Sequence, residues 1–388
     1  MSRRLLALCL LALCLALLAL PFAAQAQDAS AGCPAPARLD DGWTLATPKD
    51  TGFDPAKLCP LDRFIGQWKG AKVHGVVVVR HGKLVLERYY EGAPPPESGR
   101  TGVVAFGPTV THYIHSISKS VTSLLIGIAR GEGKFPDLDA PAIDHVPARY
   151  ADAATPDNAR ITLRDLLIMS SGLDWNEHLS YSDPQNPVRQ MVRAPDLYRF
   201  VLQKRVAFTP GAAFDYNSGD TEWLGLVLAH STGRSIDDYA RDKLFGPLGI
   251  TDFDWVKLRN SGQPFAAGGL RLRPRDMAKL GQLLLNDGQW NGRQVVPKGW
   301  VAESTRPRLE AYGLDYGYQW WLGRTFSKHG WLPWTAGFGY GGQSLFVQPD
   351  LDLVVAVTAG DYASPLRDQG MVPLDIFARH VLPAIAGD

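Results

Sequence analysis

The chain has 388 residues, a formal net charge of +1, 45% hydrophobic residues and 20% charged residues. This composition supplies enough apolar side chains for a large core, which excludes an intrinsically disordered or collagen-like chain. The near-zero charge, without a basic stripe along the sequence, argues against a nucleic-acid partner.

The N-terminus has the features of a targeting segment. Two arginines precede an uncharged run from Leu5 to Phe22, and Ala24-Gln25-Ala26 follows as a signal-peptidase pattern. Residues 1–26 are therefore predicted to be a signal peptide that is cleaved after about Ala26, leaving a periplasmic or secreted protein without a membrane span. The alternative is an uncleaved signal anchor, because the apolar run approaches the length of a membrane span. A lipid anchor on Cys33 is less favoured, since polar residues separate this cysteine from the run.

Removal of the signal would leave two cysteines, Cys33 and Cys59. An even pair in an oxidising compartment is compatible with a single disulfide that pins the N-terminal arm. His112 and His115 are spaced like half of a zinc motif, but no second half accompanies them. We therefore expect neither a metal ion nor another cofactor.

Strand patterns occur near both ends of the mature chain. Residues 27–60 are rich in proline, aspartate and glycine, which predicts an extended arm. Val76–Arg80 and Lys83–Tyr89 flank His81-Gly82 and predict a β-hairpin. Near the other end, Ser344–Gln348 and Leu353–Thr358 predict a second pair of strands.

The region between these strands, about residues 110–290, has mainly helical patterns. Apolar residues at helical spacing from Ile117 to Ile128 predict a helix that ends near Gly131. The patterns Thr162-x-x-Asp165 and Ser235-x-x-Asp238 resemble capping boxes and predict two helix starts. Further helices are predicted over Glu222–His230 and, after the last strands, over Leu374–Val381.

This order of elements predicts an α+β fold. The N-terminal and C-terminal strands would form one antiparallel sheet flanked by helices, with the helical region inserted between them. A strand–helix alternation typical of a doubly wound sheet is absent from the sequence. We expect one domain over residues 61–385.

A candidate nucleophile lies at the start of the first long helix. No serine has the G-x-S-x-G pattern, but Ser116-Ile117-Ser118-Lys119 is an S-x-x-K sequence. The helix N-terminus favours negative charge developing on Ser116, and a poorly solvated Lys119 can act as a base toward its hydroxyl. The alternative is a capping serine followed by a solvated lysine, with Ser118 in a structural role.

Two later segments strengthen the catalytic interpretation. Tyr216 lies in a turn-rich stretch before a helix and could relay a proton to a leaving group. The segment Tyr340-Gly341-Gly342-Gln343 leads into a strand, where one backbone N–H could form half of an oxyanion hole. The alternatives are a buried tyrosine that anchors a loop and an ordinary glycine-rich turn.

The order and spacing of these three motifs resemble the serine β-lactamase and penicillin-binding-protein superfamily. The likeness covers about residues 45–385 and is greatest to its class C-like branch, which includes 6-aminohexanoate-dimer hydrolases and esterases. The resemblance implies that Ser116 is the nucleophile, Lys119 the general base and Tyr216 the proton donor. The backbone N–H groups of Ser116 and Gln343 would bind the oxyanion. Supporting or substrate-binding roles fall to Ser218, Tyr340, Gly341 and Gly342, with Ser218 orienting Lys119. Separately from the resemblance, the segment Trp175–Gln190 is a candidate loop beside the cleft. Tyr181 in this loop could contact substrate, but packing on the surface is the favoured interpretation.

Two departures from the β-lactamase pattern bear on the substrate. Ser218 stands where Asn is usual in the second motif, and Tyr340 stands where the third motif normally has a lysine. Loss of that cation weakens recognition of a substrate carboxylate. We therefore expect hydrolysis of a small ester, an amide or a short peptide-like molecule. The alternatives are a DD-peptidase or weak β-lactamase, and a non-catalytic relative that binds cell-wall material.

Overall fold

A nine-stranded sheet organises the protein in the computed structural model, which describes residues 33–99 and 101–386. In chain order its strands are β1 (Thr44–Leu45), β2 (Val73–Arg80), β3 (Lys83–Tyr89), β4 (Leu309–Ala311), β5 (Leu314–Tyr316), β6 (Trp321–Ser327), β7 (Gly330–Gly339), β8 (Gln343–Gln348) and β9 (Leu353–Ala359). Their spatial order is β1-β3-β2-β9-β8-β7-β6-β5-β4. All neighbours are antiparallel except β1 and β3.

This sheet confirms the predicted α+β architecture. The N-terminal hairpin β2–β3 joins the C-terminal strands through the pairing of β2 with β9, where Val78 lies opposite Val355. The predicted signal peptide and its cleavage site lie outside the described residues. Within the described residues, no helix is long and apolar enough to cross a membrane.

Helices cover both faces of the sheet. They are α1 (Pro55–Leu58), α2 (Leu61–Gly66), α3 (Ile117–Gly131), α4 (Leu163–Leu167), α5 (Pro187–Met191), α6 (Leu197–Leu202), α7 (Ser218–Thr232), α8 (Ile236–Ala240), α9 (Pro274–Leu285), α10 (Trp300–Ser304), α11 (Leu366–Gln369), α12 (Met371–Asp375) and α13 (Leu382–Ala384). A π-helical turn, Ile376–Val381, joins the last two.

The valine run of β2 shows why the sheet needs helices on both sides. Val77 and Val79 pack in the core that contains α3, α7 and α9, whereas Val76 and Val78 pack in the core formed by α1, α2 and the C-terminal helices. Successive side chains of a strand point to opposite faces, so an uninterrupted apolar run is buried on both.

The region inserted between β3 and β4 is mainly helical over about residues 110–290, as predicted, but it also contains short strands. It includes a small sheet in which Leu270–Leu272 pairs with both His112–Tyr113 and Phe253–Trp255. Two strand pairs, Glu91–Gly92 with Val104–Ala105 and Gln289–Trp290 with Arg293–Gln294, also form there. The small sheet fixes the chain immediately before α3.

The predicted helix signals have different outcomes. Thr162 and Asp165 form a complete capping box at α4, as expected. At α8 the helix starts after Ser235, but the Ser235 hydroxyl donates to the Asp238 carboxylate and makes no cap to the backbone. The start was therefore right, and the predicted cap there was wrong.

The N-terminal arm is folded onto the domain. Cys33 and Cys59 form a disulfide, and β1 and α1 interrupt the extended conformation expected over residues 27–60. A buried ion pair of 2.9 Å joins Asp41 to Arg275 of α9.

Candidate active site

The Ser116 hydroxyl and the Lys119 amine meet at the N-terminus of α3. Lys119 Nζ lies 3.1 Å from Ser116 Oγ, because residues three apart share one helix face. Ser116 is the residue before the helix, yet its side chain makes no cap to the backbone. Lys119 is only 2% exposed. The alternative of a capping serine followed by a solvated lysine therefore does not describe this structure.

Burial prepares Lys119 for proton transfer. Its Nζ donates a 2.8 Å hydrogen bond to the carbonyl of Ala267. Loss of solvent lowers the pKa of Lys119 to about 8, although the negative charges of Glu177 and Glu222 oppose this shift. A substantial neutral fraction therefore exists close to neutral pH, as a general base requires.

Tyr216 lies against the same pair of side chains. Its ring centre is 5.0 Å from Lys119 Nζ, and the Ser116 side chain interacts with its phenol. Asn217 caps α7 through its side-chain oxygen, which accepts from the N–H groups of Gly219 and Asp220 and so fixes the preceding tyrosine. Burial, together with the charge of Glu177, raises the pKa of Tyr216 well above its usual value. The phenol therefore keeps its proton and is suited to donate it.

Glu177 is a buried residue of the site that the sequence reasoning missed. Its carboxylate accepts hydrogen bonds from the Trp175 indole, the Tyr181 hydroxyl, and both the N–H and the hydroxyl of Ser218, all at 2.7–2.8 Å. The expected role of Ser218 in orienting Lys119 thus needs correction, because the Ser218 hydroxyl donates to Glu177. The W-x-E spacing alone would not have shown this, since Ser218 is 41 residues further along the chain.

Tyr181 and Tyr340 come together as one wall of the site. Their rings pack edge to face at 4.9 Å, and Tyr340 lies 5.7 Å from the ring of His115, the residue before Ser116. The Tyr340 hydroxyl donates to the carbonyl of Tyr362. Both tyrosines were named from the sequence, and the structure places Tyr340 between Tyr181 and His115.

The two glycines named from the sequence, Gly341 and Gly342, lie in a turn between two strands. Gly341 and Gly342 have φ angles of 82° and 90° and form the turn between β7 and β8. Gly341 donates its N–H to the side chain of Gln369, and a side chain at Gly342 would lie 2.8 Å from the backbone of that residue. Both glycines therefore form the turn next to Tyr340, and their predicted role toward a substrate stays a prediction.

Strand β7 approaches the nucleophile helix more closely than this turn does. A Cβ at Gly337 would lie 3.2 Å from the Ile117 side chain, and one at Gly339 would lie 2.3 Å from the carbonyl of Ile114. Gln343 is the first residue of β8, and its side-chain amide makes two hydrogen bonds to the backbone of Ala359. These contacts leave the assignment of the Gln343 N–H to the oxyanion hole as a prediction.

Other buried groups surround the site. Ser118 is structural, since its hydroxyl donates to the carbonyl of His115 and accepts from the N–H of Leu270. His115 has a φ of 46°, and burial lowers its pKa to about 3, which keeps it neutral. Among the described residues, no group of three histidine, cysteine or acidic side chains could hold a metal ion.

Comparison with known proteins gives consistent matches. Residues 62–370 match the family described as Beta-lactamase. The 6-aminohexanoate-dimer hydrolase of Paenarthrobacter ureafaciens is 27% identical over 300 residues, which cover 72% of this chain and 70% of that protein. The lovastatin esterase of Penicillium rubens is 27% identical over 162 residues, 40% of this chain and 36% of the esterase.

The fold has matches among solved structures. A Bacillus anthracis structure, whose name as a 6-aminohexanoate-dimer hydrolase is provisional, superposes with a TM-score of 0.69. The superposition covers 89% of this chain and 88% of the other at 22% identity. At this identity the similarity establishes the fold.

Proposed function

The chain is a serine hydrolase that belongs to the beta-lactamase family, and we propose that it is exported and cleaves an ester or an amide through an acyl-enzyme on Ser116. The observation that carries the proposal is the 3.1 Å contact between Ser116 Oγ and the buried Lys119 Nζ. A serine hydroxyl becomes an effective nucleophile when an adjacent base accepts its proton.

The reaction begins when Ser116 Oγ attacks the substrate carbonyl and transfers its proton to Lys119 Nζ. When the tetrahedral intermediate collapses, the Tyr216 hydroxyl gives its proton to the leaving oxygen or nitrogen. Lys119, now an ammonium, returns its proton to Tyr216, whose ring centre lies 5.0 Å from the amine. Water then attacks the acyl-enzyme and releases the acid, which restores Ser116.

The oxyanion needs two backbone donors. One is the N–H of Ser116, at the positive end of α3. Two candidates exist for the other, Gln343 from the sequence and Phe338 from the strand register. Gly339 directs its carbonyl toward β8, because it accepts from the N–H of Gly342 across the turn.

The register favours Phe338. Alternate residues of an antiparallel strand direct N–H and C=O to opposite edges, so the backbone of Phe338 faces the β6 edge of β7. The last pair on that edge is Trp321 with Ala336, two residues before Phe338. The Phe338 N–H therefore lies past the end of the ladder, next to Gly337, which faces the start of α3.

Aromatic side chains around Tyr216 support an apolar substrate. Trp321 stacks at 6.0 Å from the Tyr216 ring, and Phe214 packs against Trp321 at 5.7 Å. With Tyr181 and Tyr340 on another side, these rings can bury an acyl chain or an apolar leaving group. Tyr340 supplies no positive charge for the carboxylate of a β-lactam, which favours neutral esters and amides.

Export follows from the predicted signal peptide, and the Cys33–Cys59 disulfide supports it because disulfides persist in oxidising compartments. Expression with the native N-terminus, followed by N-terminal sequencing of periplasmic and membrane fractions, tests this part. A mature chain starting at about Gln27 is expected. A full-length chain confined to membranes would contradict it.

A panel of p-nitrophenyl esters, aryl amides, ω-amino-acid amides and β-lactams tests the catalytic proposal. Turnover of an ester or an amide that disappears in Ser116→Ala is expected. The exposed Ser182→Ala variant is a matched control. Equal turnover by Ser116→Ala and the unmodified protein would refute the proposal.

A further inference from the structure

The buried carboxyl group of Glu222 faces the catalytic lysine from a helix that the mechanism has not used. Glu222 lies in α7, six residues after Tyr216, and is 0% exposed. Its Oε1 accepts a 2.8 Å hydrogen bond from the N–H of Ala267, whereas Oε2 has no hydrogen-bond partner among the described residues. A buried acidic side chain with an unpartnered oxygen is usually neutral or functional.

Glu222 and Lys119 share a single backbone partner. The N–H of Ala267 donates to Glu222 Oε1, and the carbonyl of the same residue accepts from Lys119 Nζ, both at 2.8 Å. The alanine backbone therefore connects the two side chains. Helix α7 packs directly on α3, and Gly225 of α7 lies against Ala266, so the segment that carries Ala267 is held between the two helices.

We propose that Glu222 is a positioning residue for Lys119, an inference that rests on the proposed function. The Glu222 carboxyl group holds the Ala267 backbone that binds the lysine amine. Its charge determines how readily that amine loses its proton. Glu222 touches neither substrate nor the reacting atoms. It acts on the reaction only through Lys119.

The ionisable groups that face Lys119 and Glu222 determine how the two side chains affect each other's protonation. Lys119 faces Glu177 from the loop before α5, Glu222 from α7, and the neutral side chains of His115 and Tyr216. Glu222 faces Lys119 and, from α6, Tyr198. Burial raises the pKa of Glu222 to about 8, close to that of Lys119, so the two groups titrate in the same range.

The sign of the effect follows from this arrangement. An ionised Glu222 stabilises the Lys119 ammonium, whereas a neutral Glu222 does not. Glu222→Gln keeps a side-chain oxygen that can accept from Ala267 but can never carry a charge. Lys119 should then lose its proton at lower pH, and the acidic limb of the pH profile should move to lower pH by about half a unit.

The test is the second-order rate constant for modification of Ser116 by a fluorophosphonate, measured from pH 6 to 10. This readout requires an activated nucleophile but no known substrate. Glu222→Gln is compared with Asp220→Asn, which removes another fully buried carboxyl group of α7 whose neighbours are Ser171 and Asp165. The midpoint pH of the labelling rate should be lower in Glu222→Gln than in the unmodified protein and should be unchanged in Asp220→Asn.

The outcomes separate this inference from the proposed function. Absence of labelling in the unmodified protein would refute the proposed function. Labelling with the same midpoint in the unmodified protein and Glu222→Gln would refute only the role of Glu222. If Glu222→Gln does not fold, as judged by circular dichroism, Glu222→Asp decides. This substitution keeps a carboxylate, but the shorter side chain lies farther from Ala267. A several-fold lower rate of Ser116 labelling would support the positioning role of Glu222, and an unchanged labelling rate would refute it.

Discussion

Lys119 Nζ donates to Ser116 Oγ at 3.1 Å and to the carbonyl of Ala267 at 2.8 Å, and solvent reaches almost none of the side chain. These two contacts hold the amine next to the hydroxyl, while burial destabilises its charged form. A neutral amine held in this way can accept the serine proton. The predictions below test the separate parts of this arrangement.

Removal of the base should abolish most of the activity. Lys119→Ala is expected to lower kcat/KM by about 10³-fold or more, because Ser116 then has no partner for its proton. Lys119→Arg should be nearly as damaging, since a guanidinium does not deprotonate in this pH range. Steady-state kinetics on the best ester of the panel measures both. Retention of half of the original rate in Lys119→Ala would contradict the assignment.

The pH profile should report the depressed pKa of Lys119. With the pKa of this amine near 8, kcat/KM should rise as pH increases from 6 and level off above about pH 9. An ordinary lysine would place this rise near pH 10.4. A profile that is flat between pH 6 and 9 would show that the Lys119 amine is not the titrating base.

The role of Tyr216 predicts a dependence on the leaving group. Tyr216→Phe should slow the hydrolysis of alkyl esters by about 10²-fold, because an alkoxide needs a proton to leave. Hydrolysis of p-nitrophenyl esters should be much less affected, since p-nitrophenolate leaves without one. The more exposed Tyr312→Phe serves as the matched control. Equal losses for both leaving groups would assign Tyr216 a structural role.

Much of this arrangement could be predicted from local sequence patterns. The S-x-x-K spacing located Ser116 and Lys119, and the valine runs located β2 and β9. Contacts distant in sequence could not be predicted in this way, because Glu177 binds a residue 41 positions later and Glu222 binds one 45 positions later. Strand β7 was missed because Pro333 and its glycines weaken the strand pattern. Pairing with β6 and β8 stabilises it.

The choice between Phe338 and Gln343 as oxyanion donor can be tested directly. Phe338→Pro removes the backbone N–H at an edge where β6 no longer pairs, and it should lower kcat by about 10²-fold. Phe338→Ala loses the same aromatic ring but keeps the N–H, so it is the matched control. Similar activity of the proline and alanine variants would instead favour Gln343.

The disulfide should stabilise the fold without affecting catalysis. Cys33 and Cys59 are 26 residues apart, and a loop of this length predicts a loss of about 3.5 kcal/mol in the free energy of unfolding when both are replaced by serine. Cys33 packs against the core on the face of the sheet opposite α3. Denaturant unfolding should therefore show the loss, while kcat/KM at 25 °C stays unchanged. A large fall in kcat/KM would indicate coupling between the arm and the site.

Mass spectrometry of the protein after treatment with a fluorophosphonate tests the central assignment most directly. We expect the intact mass to show one adduct, peptide mapping to place it on Ser116, and Lys119→Ala to remove it. Well-folded protein that takes no label, or takes it on another serine, would contradict the account.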